Sequence, residues 1–331
     1  MFIERIQVFI KNTFRIIRRI ITRLIELPFV LSAFCIIPLL TRKAELRLAR
    51  FVGRLISGPL GKKKKKVALT NMDIVYGDSK TPAEKEELYR QQCEHFAMIL
   101  LDYFWFSRKT SERVAKFCVM EEPELERRIA GDSPGFFHTS HIGNWEIGGQ
   151  YVALRGRLIT SVFRPLGTKL TMQLLLRFRE ATGQTTVARE GAVVGILRTF
   201  KDNGLVAVLL DQHTDLVDGG IYLDFFGLPA AFSNVIGQIS NKHSVPISSV
   251  GIIYNRDLDR YIVKSYGSIS GEEAANMKPE EITKWIVQNT EKMILDAPGQ
   301  WLWTYRRWKR FRPSDDKSRF PYYAVLDTSA E

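Results

Sequence analysis

The sequence predicts an α/β fold with a mixed, largely parallel sheet flanked by helices, on three observations. After about residue 130, short apolar runs of strand length alternate with longer segments of helical period. That is the pattern of strands joined by crossover helices. No Gly/Ser/Pro-rich linker interrupts the chain after residue 70, so a single domain is expected to hold every later element. A basic and apolar segment of different character stands ahead of it, which divides the chain into an N-terminal segment at 1–45, read below as a membrane anchor, and a larger domain at 46–331.

The anchor is read from two features. Arg5, Lys11, Arg15, Arg18, Arg19 and Arg23 intersperse with Ile3, Ile6, Ile10, Ile17, Ile20 and Leu24 at close to helical period. This makes a basic amphipathic helix suited to an anionic bilayer surface. An uncharged run from Leu27 to Leu40 follows, broken by Pro28 and Pro38. It is shorter than the roughly 20 residues a span requires. Basic residues flank both ends, so the positive-inside rule does not orient it. Spanning and interfacial placement both remain open. No signal-peptide cleavage pattern follows.

Further elements follow in order. Lys62 to Lys66 reads either as a solvated loop or as a contact for anionic headgroups, at roughly 1 kcal/mol per residue near a charged surface. Thr81-Pro82-Ala83-Glu84 carries a cap, a first-turn proline and a capping-box carboxylate, and starts a helix running to about Phe106. Candidate strands are Gly135–His138, Leu158–Phe163, Leu205–Leu210, Val245–Ile253 and Tyr261–Ser265. Candidate helices begin at Ile147 and cover Thr171–Thr182, Ala192–Asp202, Ser233–Lys242 and Glu280–Leu295.

The chain has 331 residues, is 45% hydrophobic and carries a formal net charge of +12. That balance calls for an anionic partner. No nucleic-acid-binding motif is present, so a membrane surface or an acidic substrate is the better match. The three cysteines, Cys35, Cys93 and Cys118, form neither a disulfide framework nor a Cys-x-x-Cys pair.

The chemistry concentrates in His138-Thr-Ser-His141-Ile-Gly143-Asn144-Trp-Glu146, on a strand-to-helix turn. His141 is suited to move a proton near neutral pH. Glu146, in the first helical turn, is placed to orient the imidazole and stabilise its cation. Backbone N–H groups of Gly143 and Asn144 are candidates to stabilise an oxyanion. Arg164 and Arg179 offer guanidinium forks for phosphate, or ordinary surface ion pairs. Asp211, at a strand end, is where open α/β sheets place ligands, or else caps the following loop. Phe225, Phe226, Trp301 and Trp303 fit either an acyl groove or core. His138 and His213 with His141 do not make up a metal site by spacing, and none is expected.

The string His141-Ile-Gly-Asn-Trp-Glu146 resembles the lipid A late acyltransferases, within the glycerolipid acyltransferases that carry a His-x4-Asp/Glu motif. Phe163-Arg164-Pro165, Arg179-Glu-Ala-Thr-Gly183, Asn203 to Gln212, Phe225 to Ala230 and Gln300 to Lys309 follow in that family's order. The resemblance covers about residues 45–310. It implies a glycerolipid-acyltransferase-like domain without a cofactor. The implied reaction moves a fatty acyl chain from an acyl carrier protein or coenzyme A thioester to a hydroxyl of a phosphoglycolipid, a lipid A precursor. It also implies functional roles for Arg179 and Asp211, and a place on the cytoplasmic face of the cell inner membrane. Acylation of another amphiphile, hydrolysis of the thioester, and a non-catalytic membrane-binding role are the alternatives.

Overall fold

The computed structural model describes residues 28–329 apart from 29, 59–60, 121 and 164–168. The predicted amphipathic helix of residues 1–25 lies outside them. Among the described residues no helix is long and apolar enough to cross a membrane.

The helices α1 (Arg42–Ser57), α2 (Lys62–Tyr76), α3 (Pro82–Trp105) and α4 (Thr110–Phe117) precede the sheet. Thr81 caps α3 with the reciprocal Glu84 bond that the sequence announces. The alternating part then runs β1 (Cys118–Met120), α5 (Pro123–Ala130), β2 (Gly135–Thr139), α6 (Trp145–Leu154), β3 (Ile159–Phe163), α7 (Lys169–Glu180), β4 (Thr185–Ala188), α8 (Ala192–Lys201) and β5 (Leu205–Leu209). A hairpin, β6 (Gly220–Phe225) and β7 (Leu228–Ser233), interrupts it. After α9 (Val235–His243) come β8 (Ile247–Asn255), β9 (Arg260–Ile269), α10 (Gly271–Asn276) and α11 (Pro279–Asp296). Two short strands, β10 (Arg310–Phe311) and β11 (Val325–Leu326), pair near the end.

The main sheet has seven strands in the order β1-β9-β8-β2-β5-β3-β4. Only β8 and β9 pair antiparallel within it. The predicted α/β class with a mixed, mostly parallel sheet is therefore observed. β2 is central and every residue of it is buried, as expected for a strand covered on both faces. Its side chains alternate between two cores. Phe137 joins a cluster with Ile147, Tyr151 and Val152 of α6 and Met98 and Trp105 of α3. Phe136 joins Ile196 and Phe200 of α8 and Ile282 and Ile286 of α11 on the other face. Removing such a phenylalanine side chain typically costs about 3–5 kcal/mol.

Two expectations change. Lys62–Lys66 is not a loop but the first turn of α2. Val245–Ile253 is displaced: β8 starts at Ile247 and extends to Asn255, with a bulge between Ser249 and Val250. Val245 instead accompanies the α9-to-β8 connection, where Pro246 supplies a carbonyl to Phe136 but has no N–H for the ladder.

Candidate active site

β2 and β5 are parallel neighbours with Thr139 opposite Leu209. Two residues beyond each of these come His141 and Asp211. Equal offsets on adjacent strands bring the two side chains together at the carboxyl ends of the strands. His141 Nδ1 lies 2.7 Å from Asp211 Oδ1, and the His141 backbone N–H donates to Oδ2 at 3.0 Å. Trp301 Nε1 donates to the same Oδ2 at 2.9 Å. The segment carrying Trp301 is pinned to the turn by a bridge to Ile142 and by Leu302 N–H to the His141 carbonyl at 3.2 Å.

Burial works against a charge on His141, but the Asp211 carboxylate and its hydrogen bond, with the charge of Glu146, outweigh it and raise the imidazole's pKa. Burial would raise the Asp211 pKa, yet His141 and the three donors pull it down to about 2. Asp211 thus stays ionised and fixes the proton on Nδ1. That leaves Nε2 as the basic lone pair. The ring is 21% exposed, packs edge-on to Trp145, and has the Gln212 amide 3.3 Å from Nε2.

This corrects the expectation that Glu146 orients the imidazole. Glu146 belongs to a different pair. Arg179 Nε and Nη2 donate to its two oxygens at 2.7 and 2.6 Å, and Trp145 Nε1 donates at 3.0 Å. The Tyr103 hydroxyl also meets Glu146, and burial holds that phenol well above its ordinary pKa. Arg179 is therefore not an open phosphate fork, because two of its nitrogens are committed within the protein. Arg164 lies outside the described residues.

The turn between His141 and Glu146 is set by close approach. Gly143 has φ +58°, and a Cβ there would meet the Ile252 carbonyl oxygen at 1.8 Å. Asn144 caps α6 through Oδ1, which accepts from Ile147 N–H at 3.3 Å. Its Nδ2 donates to Asp102 at 2.9 Å and its backbone N–H to Ile252 O at 2.8 Å. The Asn144 N–H is thus already taken, which corrects its expected place in an oxyanion hole. Asp102 is in turn bonded by Arg42 at 2.5 Å and by Tyr261. Helix α1 and strand β9 therefore hold the turn through one buried network.

Other candidates separate from the site. His138 Nδ1 contacts Ser249 Oγ at 2.8 Å and Nε2 contacts Thr290 at 3.4 Å, while burial depresses its pKa to about 4. His213 pairs with Asp215 at 3.0 Å. Among the described residues no group of three or more His, Cys, Asp or Glu is placed to hold a metal. Phe225 and Trp303 are wholly buried in a cluster with Trp308, so they are core and not groove wall. Trp301 is buried too, but its indole N–H serves the site. Sequence reasoning left that role unseen, as it did Tyr103 and Asp102. The only available signal was polar residues inside otherwise apolar helical runs.

The family model for bacterial lipid A biosynthesis acyltransferases matches residues 12–310. The chain is similar to the lipid A biosynthesis palmitoleoyltransferase of Escherichia coli (strain K12), at 22% identity over 268 residues, covering 79% of this chain and 84% of that one. It is equally similar to the lipid A biosynthesis acyltransferase of Shigella flexneri, with the same identity and coverage.

Proposed function

The chain belongs to the bacterial lipid A biosynthesis acyltransferase family, and from that premise we propose that it moves a fatty acyl chain from a carrier-protein or coenzyme A thioester to a hydroxyl of a lipid A precursor, with His141 as base. The observation that carries this reading is the His141–Asp211 pair, which leaves the Nε2 lone pair, with only the Gln212 amide at 3.3 Å, on a partly exposed ring. His141 Nε2 takes the proton of the acceptor hydroxyl as its oxygen attacks the acyl carbon. The tetrahedral oxyanion collapses, the C–S bond breaks, and the proton passes from Nε2 to the departing thiolate. An ester and a free thiol result, without an acyl-enzyme.

Asp211 acts as positioning residue: it selects the tautomer and stabilises the imidazolium. Glu146 contributes to that stabilisation through its charge and fixes Arg179. Arg164, Gly143 and Asn144 keep subsidiary places in this scheme, the last two as the scaffold of the turn. In the same proposal residues 1–45 anchor the enzyme to the anionic surface of the inner membrane, with the site on the cytoplasmic face.

The test is turnover of a labelled acyl thioester with a detergent-dispersed phosphoglycolipid acceptor. His141→Ala should lower the rate by about 10²–10⁴-fold while the protein stays folded. Near-normal turnover by a folded variant, or release of free fatty acid in place of acylated lipid, would refute the reading.

A further inference from the structure

When a hydroxyl attacks an acyl thioester, the carbonyl oxygen gains a negative charge that a catalytic site meets with hydrogen-bond donors. Several donors grouped round the turn are already engaged. Asn144 N–H serves the Ile252 carbonyl at 2.8 Å, and Trp301 Nε1 serves Asp211 at 2.9 Å. Trp145 Nε1 and Arg179 Nε and Nη2 all serve Glu146. Gln212 is placed differently. Its amide stands 3.3 Å from His141 Nε2, the atom that acts as base in the proposed reaction.

Which end of that amide faces the ring follows from the tautomer. Asp211 holds the imidazole proton on Nδ1, at 2.7 Å, so Nε2 of the neutral ring is an acceptor. The carboxamide must then offer it an N–H and not its oxygen. At 3.3 Å the contact is longer than an ordinary hydrogen bond, so it is weak and readily exchanged. The backbone on either side is firmly held. The Asp211 carboxylate is bonded by the His141 backbone, the imidazole and Trp301, and His213 N–H donates to the Tyr305 hydroxyl at 3.1 Å. Asp211 and His213 are buried, whereas Gln212 is half-buried. A fixed piece of backbone thus carries a side chain free to turn from the ring to a substrate.

We infer that Gln212 is a catalytic residue: its amide N–H caps the resting base and then donates to the oxyanion of the tetrahedral intermediate. The inference rests on acyl transfer with His141 as base. In that step the hydroxyl proton passes to His141 Nε2, the new C–O bond forms, and the carbonyl π pair moves onto its oxygen. The attacking oxygen is bonded to Nε2, and it shares one carbon with the oxyanion. A donor that starts beside Nε2 therefore lies next to both oxygens. As the C–S bond breaks, the pair returns to the carbonyl and the departing thiolate takes the proton from Nε2. The amide then goes back to the freed lone pair, and Gln212 gains and loses no proton. Its bond to the oxyanion exists only while that charge exists, so it lowers the barrier without tightening the ground state.

The experiment is steady-state kinetics of the full chain with labelled acyl thioester and detergent-dispersed acceptor. Gln212→Met is nearly isosteric and has no donor. It should lower kcat and kcat/KM together by about 10²–10³-fold at unchanged KM, as loss of an interaction made only in the transition state does. The acid limb of kcat/KM should stay in place or move to higher pH, because an N–H donated to the lone pair favours neutral His141. Gln212→Glu keeps the shape but offers only acceptors, and above that limb it should be slower still. Near-normal or raised kcat in folded Gln212→Met overturns the inference, since the amide would then do no more than cap the base. So does a limb displaced to lower pH, which would show Gln212 acting through the Asp211–His141 pair, or a Gln212→Glu variant as active as wild type. Release of free fatty acid by wild type, or near-normal turnover by folded His141→Ala, would refute acyl transfer with His141 as base and this assignment with it. Those two results are read without any Gln212 variant, so the two failures are distinguishable.

Discussion

In the proposed mechanism His141 moves the proton, and its neighbours set its basicity. Because Asp211 and Glu146 raise the imidazole's pKa, the base is lost on the acid side earlier than for a free histidine. The acid limb of kcat/KM should therefore fall above the ordinary value of about 6.5. Asp211→Asn removes the charge that raises it. The limb should move to lower pH while the plateau drops, because the tautomer is no longer fixed. A limb that stays in place would show that another group titrates. Linkage gives the matching stability prediction. The depressed Asp211 contributes stability above the unfolded carboxylate's pKa of about 3.9, which is lost as pH falls through its folded value. The raised His141 contributes below about 6.5, which is lost as pH climbs through its folded value. The Tm deficit of Asp211→Asn should thus be greatest between about pH 4 and 6.5. Glu146 and Arg179 form one unit, so Glu146→Gln, Arg179→Gln and the double change should be markedly non-additive in kcat. Strict additivity would separate them. The proposed direct attack uses no thiol: burial pushes the Cys93 and Cys118 thiols up, and replacing Cys35, Cys93 and Cys118 should leave turnover largely intact.

At the scale of elements, the turn joining β2 to α6 is the most constrained piece of backbone near the site. Gly143→Ala forces a side chain onto the Ile252 carbonyl at a positive φ. It should destabilise the fold by ~2 kcal/mol or more, and thermal unfolding measures it. A Tm within a degree of wild type would mean that the turn relaxes freely. This turn also shows what was readable in advance. Gly135-Phe-Phe137, Leu205 to Leu210 and the Thr81 cap carry their own local signals, and the strands and helix stand nearly where those signals place them. The partner of His141 carried none. Asp211 lies 70 residues away, and only the parallel adjacency of β2 and β5 joins them. Glu146 was the nearer carboxylate in sequence, but one helical turn points it towards Arg179. The strands β1 and β4 are three and four residues long and lie at the sheet edges, too short to show a period. The β6–β7 hairpin turns on Phe226 and Gly227, both at positive φ. Phe226 gives no turn signal of its own.

For the whole molecule the question is what the charge of +12 meets. Lys62–Lys66 opens α2, at the helix end whose dipole already carries partial positive charge. Within that run Lys65 pairs with Glu86 at 2.8 Å, while Lys62, Lys63, Lys64 and Lys66 are exposed. Such an arrangement costs helix stability, and an anionic surface would offset the cost. Deletion analysis must respect the fold. Ile37, Arg42 and Glu45 are buried in the body of the protein, so removing residues 1–45 would expose part of the core, and a cut after residue 27 removes only the basic amphipathic part of the proposed 1–45 anchor. We expect that truncation to release much of the protein from membranes and to lower activity on bilayer acceptor more than on detergent-dispersed acceptor. Changing the five lysines to glutamine in the full chain should weaken binding to anionic vesicles, chiefly at low salt, since exposed charges are screened over about 8–10 Å near physiological ionic strength. If the N-terminal segment and the basic patch both hold the membrane, as proposed, the two changes combined should reduce binding more than either alone. Flotation with vesicles containing phosphatidylglycerol measures all three proteins. If the truncated protein floats as fully as the intact chain, the anchor is not in residues 1–27, and the bilayer must be held by the folded body itself.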